Sequence, residues 1–138
     1  MTKKYFKTSF IYALIGIFLG AFYREFTRII GFYKPTNLGL AHTHTLVLGL
    51  ILFLILTLFA KVFDMEEDKK EKKFFITYNL GLILTVLTIG ARGFYQIKGL
   101  ENPALSASIS GLAGIGHISL SFAFYFLYTY LKSCINKS

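Results

Sequence analysis

Imidazole ligates metals and moves protons near neutral pH, and this chain has three histidines. His42 and His44 open the stretch AHTHTLVLGLILFLILTLFA, residues 41–60, and His117 lies in a second apolar run. An ionisable side chain in such a run is costly to bury without a partner, which points to function. Three chemistries are open. The imidazoles could hold the iron of a b-type haem (iron protoporphyrin IX) as axial ligands from two helices of a bundle. All three could ligate copper or zinc. Alternatively they bridge helices by hydrogen bonds, or carry protons in a small transporter, with no cofactor. Arg24, Arg28 and Arg92 share the histidine side of the chain, where haem propionates would need cations. No nucleotide loop, nucleophile–base pair or paired carboxylates are visible, and there is no CxxCH. No catalytic residue is assigned, and any enzymatic chemistry would belong to a cofactor.

The elements that must position these residues are membrane helices. The chain has 138 residues, 54% of them hydrophobic. Its apolar residues fall in blocks separated by charge, which is a membrane pattern and not a soluble one. Pro35 to Ala60 and Asn102 to Leu131 carry no Asp, Glu, Lys or Arg. The expected fold is an all-α, four-span helical bundle forming one transmembrane domain, with helices near 8–28, 38–60, 74–95 and 103–131. The first helix lacks a small-residue cleavage site and is expected to be retained. Ten of the 15 Lys and Arg fall on the side of the termini and the middle loop, and five (Arg24, Arg28, Lys34, Arg92, Lys98) on the other. By the positive-inside rule both termini are cytoplasmic, in a bacterial plasma membrane. The net charge of +8 follows from that bias and does not imply nucleic acid. DMEEDKKEKK, Asp64 to Lys73, mixes signs and reads as a solvated loop. A single cysteine, Cys134, rules out an intramolecular disulfide.

Direction and depth within the helices bear on the site. Residues two apart on a helix point about 160° apart, so His42 and His44 cannot face one small target. His42 shares its side with Thr45, Gly49 and Phe53; His44 shares its side with Leu48, Ile51 and Ile55. The small-lined side favours His42 as the inward residue. A faint internal repeat favours His44: GAFYRE (Gly20 to Glu25) and GARGFYQ (Gly90 to Gln96) each precede a histidine-bearing helix by a similar spacing. Two parallel helix pairs would make His44 and His117 equivalent. Small residues recur at four-residue spacing in every helix: Gly16 and Gly20; Thr45 and Gly49; Thr77, Gly81 and Thr85; Ser106, Ser110 and Gly114. Such stripes let helices pack closely, within one chain or between copies in a homo-oligomer.

GAFYREFTR (Gly20 to Arg28), LAHTHTLVLG (Leu40 to Gly49) and the late His117 together resemble an uncharacterised bacterial family of small four-span membrane proteins. That resemblance implies topology and carries no activity. Locally, the H-x-H at the start of a membrane helix resembles a histidine-bearing helix of haem–copper oxidase catalytic subunits and related nitric-oxide-response membrane proteins. In the oxidases such a pair ligates two different haems on opposite sides of one helix, so the resemblance implies ligand roles for His42 and His44. This chain has four membrane helices where the oxidases have twelve, and too few histidines for their copper site, so oxygen reduction is not implied. The combined expectation is a haem-bearing protein of electron transfer, haem handling or gas sensing, with lipid, a second copy and a redox partner or quinone as its contacts.

Overall fold

The computed structural model describes residues 1–136, and among them it contains helices and no strand. Four helices are long and apolar enough to cross a membrane: α1 (Thr2–Ile29), α2 (Asn37–Val62), α3 (Lys69–Ile97) and α4 (Pro103–Ile135). α1, α3 and α4 run past their apolar cores into the flanking lysines.

The start signals are local. Asn102 caps α4 by accepting from the Leu105 N–H at 3.0 Å, with Pro103 in the first turn. Asp68 caps α3 by accepting from the Glu71 N–H at 2.7 Å. This corrects the reading of Asp64 to Lys73 as one solvated loop. From Lys69 onward the stretch is helix, and Glu71 is 0% exposed. The D-x-x-E spacing of Asp68 and Glu71 is the capping-box signal that marks this start in sequence.

α1 lies along α2, α2 meets α3 mainly at its Asn37 end, and α3 packs along α4. The α4 backbone makes no close approach to α1 or α2 among the described residues. The spans therefore form two hairpins, α1–α2 and α3–α4. Phe22 and Phe94, from the two matching sequence motifs, meet at 6.3 Å, so the motifs sit at one level. Phe53 is the centre of the core. Its ring is 5.8 Å from Tyr5, 5.9 Å from Tyr12, 5.7 Å from Tyr78 and 6.4 Å from Phe74, tying α1, α2 and α3 together.

Close backbone approach decides the seams. A side chain at Gly49 would collide with the Tyr12 ring, and one at Gly93 with the Leu38 backbone. In the α3–α4 seam, Gly81 faces Gly116 and Leu120, and Thr85 lies over Gly116. Gly114, expected to pack with Ser106 and Ser110, has nothing within 4 Å of where its Cβ would be. Gly116 takes the seam because it shares a face with Ile109, Leu120, Ala123 and Leu127, which are buried against α3.

Candidate functional site

α2 is not a uniform α-helix. After the α-helical turn Leu40–His44 comes a π-helical segment, Thr45–Ile51, before α-helix resumes at Leu52–Val62. The cause is legible in burial: Ala41, Thr45, Gly49 and Phe53 are all buried, at intervals of four. In an α-helix each step of four overshoots one turn by about 40°. The wider π turn absorbs that drift, and such segments, rare overall, occur frequently at functional sites.

The segment settles where the two neighbouring histidines point. His42 packs against α1: its ring carbons Cγ and Cδ2 lie 3.5 Å from where a Gly20 Cβ would be. His42 Nδ1 is buried with no hydrogen-bond partner among the described residues. His44 points to the other side of α2, away from α1, in a shallow depression lined by Thr43, Val47 and Leu48. Its Nδ1–H donates to the Leu40 carbonyl at 2.9 Å.

His117 lies on the exposed flank of α4. Its Nδ1–H donates to the Ala113 carbonyl at 2.8 Å. The two histidines thus share one local geometry, each bonded to the carbonyl four residues before it. A carbonyl only accepts, so Nδ1 carries the proton in both rings. In a neutral imidazole the Nε2 lone pair is then the available one. Proteins orient metal-ligating histidines with this same Nδ1–H···O=C bond.

On the His117 flank, Ser110 lies seven residues before the histidine and Phe124 seven after, so all three share a stripe. Arg92 of α3 reaches this stripe. Its Nη1 donates to Ser106 Oγ at 2.8 Å, and its Nη2 to the Ser106 carbonyl at 2.9 Å and Ser110 Oγ at 2.6 Å. Its guanidinium carbon also lies 5.5 Å from the Tyr95 ring centre. No carboxylate pairs with Arg92 among the described residues. Arg24 and Arg28, by contrast, are exposed and both pair with Glu25, Arg24 at 3.7 Å. The structure therefore separates the three arginines: only Arg92 lies on a histidine-bearing flank without a counter-ion. Nor are the three histidines brought to one point. Among the described residues no three His, Cys, Asp or Glu side chains converge as metal ligands would.

Sequence reasoning passed over two groups. Glu71 accepts from Lys4 Nζ at 2.9 Å and from Tyr5 Oη at 3.0 Å, a half-buried ion pair at the lysine-rich end. Lys4 also lies 4.2 Å from the Phe75 ring centre. Tyr78, 0% exposed, donates its hydroxyl to the Leu48 carbonyl at 2.8 Å, and its ring meets Phe124 edge-on at 5.6 Å. Only the capping spacing hinted at Glu71, and nothing in the sequence set Tyr78 apart from eight other tyrosines.

Fold and site define a class: a small four-helix membrane bundle carrying histidines on its second and fourth spans. Within that class the chain belongs to the family described as "Protein of unknown function (DUF2871)", whose profile matches residues 2–134. No curated protein and no solved structure matches the chain.

Proposed function

We propose that this protein binds b-type haem in the bacterial plasma membrane, with both termini cytoplasmic and with His44 and His117 as axial ligands. The observation that carries this is the pair of matching imidazoles on separate helices, each with Nδ1–H held by a carbonyl and Nε2 left to ligate. Tyr78 reaches both histidine-bearing helices. It touches α2 one turn beyond His44, at Leu48, and α4 two turns beyond His117, at Phe124. α2 and α4 run in the same direction and each packs on α3, while their backbones make no close approach to one another among the described residues.

Arg92 is the preferred propionate partner. Ser110, which it holds, lies two turns before His117, about 10 Å along the axis at 1.5 Å per residue. That is on the scale of the reach from a porphyrin's centre to its carboxylates. Haem would supply one-electron iron chemistry. The chain's residues would orient it: His44 and His117 as ligands, Arg92 as the carboxylate anchor, Tyr78 and Phe124 as the end wall. Two ligands per iron suit electron transfer, with a redox protein or quinone as partner; loss of one would suit gas sensing or haem handling. His42, whose ring packs against Gly20, serves as a contact between α1 and α2 in this reading. A homo-oligomer would cover the exposed Gly111 and Gly114 of α4.

The test is an absorption spectrum of the protein in mild detergent, with and without added haemin, oxidised and reduced. A stoichiometric Soret band with sharp reduced α and β bands is the expected result. No band after haemin is offered overturns the reading.

A further inference from the structure

We infer that Tyr78 is the positioning residue of this site, holding the π-helical segment of α2 in register and thereby fixing the side on which His44 is presented. The geometry stands on its own; its consequence for ligation rests on the haem reading above.

In an α-helix the Leu48 carbonyl would accept from the Leu52 N–H, four residues on. Here the Leu52 N–H is shared between the Gly49 and Val47 carbonyls, three and five residues back, and passes over Leu48. The Tyr78 hydroxyl donates to the Leu48 carbonyl instead, at 2.8 Å. A neighbouring helix thus supplies a donor at the point where α2 departs from α-helical pairing. Tyr78 has little freedom to move away. It is 0% exposed, with Phe53 at 5.7 Å, Phe74 at 5.4 Å and Phe124 at 5.6 Å around its ring. Through Phe124 the same side chain braces the His117 helix.

The segment joins two stretches of α2 that would otherwise be out of phase. The Leu52–Val62 part is keyed into the core by Phe53, Leu56 and Ala60. The Leu40–His44 part carries the histidines. Reversion of the π segment to α-helix would add about one residue's worth of winding and turn the histidine end by about 100° relative to the core. His44 would then be presented on a different side of α2.

Tyr78→Phe tests this, because it removes one hydroxyl and keeps the ring packing. The first measurement is amide hydrogen exchange in detergent, without haem. Amides of residues 45–52 should exchange about tenfold faster in Tyr78→Phe than in wild type, while the Gly81–Gly116 seam stays unchanged. Equal exchange in 45–52 overturns the inference. The second is the low-spin electron paramagnetic resonance of the haemin-loaded protein, whose g-values report the angle between the two imidazole planes. Shifted g-values are expected in Tyr78→Phe, and unchanged ones overturn the positioning role. If wild type takes up no haemin, the functional reading fails, yet the exchange comparison still decides what Tyr78 does to the π segment.

Discussion

A histidine whose Nδ1–H is held by its own helix has its Nε2 left for chemistry. His44 and His117 are both in that state, whereas His42 turns its ring onto the Gly20 backbone. This separates three residues of one type by local geometry alone. His44→Ala and His117→Ala should each abolish the sharp reduced α band of the haemin-loaded protein, while His42→Ala should keep it. Pigment lost only in His42→Ala would reverse the assignment. Arg92 stands apart from Arg24 and Arg28 for a similarly local reason: serines and a carbonyl hold its guanidinium, and no carboxylate among the described residues neutralises it. Arg92→Gln should weaken haemin binding by about tenfold, roughly 1.4 kcal/mol. Arg24→Gln should leave it unchanged, as equilibrium titration would show.

At the scale of the element, two close contacts decide how the helices sit. Gly93 receives the α2 backbone at Leu38, while Gly90, one turn earlier on α3, has nothing within 4 Å of its Cβ position. Gly93→Ala should therefore destabilise by about 1–3 kcal/mol through overpacking. Gly90→Ala should be neutral or stabilising by up to about 1 kcal/mol, because alanine favours helix. Thermal unfolding of the two variants in one detergent checks the contrast. The second contact is the Lys4–Glu71 pair, where a fully buried carboxylate meets a lysine 27% exposed. Lys4→Met leaves Glu71 with only Tyr5 as a side-chain partner and should cost about 3 kcal/mol. Adding Glu71→Leu should recover most of that loss, since an apolar pair needs no counter-charge. A double variant less stable than Lys4→Met alone would show that Glu71 contributes more than its ion pair.

For the whole molecule, the proposed orientation places the lysine-rich end in the cytoplasm. With Cys134 replaced by serine, Tyr33→Cys in the α1–α2 connection should react with an impermeant maleimide added to intact cells. Lys70→Cys, at the start of α3, should react only after the membrane is opened. The opposite pattern would invert the molecule and place the histidine half on the cytoplasmic side.

Four spans, their order and their apolar faces were legible in the sequence, because a bilayer demands long uncharged helices and the charges between them mark where each must end. The three histidines and three arginines were also visible as chemistry in search of a place. Two things depended on the folded arrangement. One is the π segment. It arises because Ala41, Thr45, Gly49 and Phe53 must all be buried while α1 and α3 hold α2 from two sides. A wheel drawn on a regular helix cannot contain that constraint. The other is which neighbours satisfy or abandon each polar group. That Gly116 and not Gly114 forms the α4 seam, that Glu71 is buried and not solvated, and that Tyr78 reaches the Leu48 carbonyl are all consequences of helices meeting at particular depths and rotations. Sequence spacing sets which residues share a face. Only the packing of one face against another decides what that face meets.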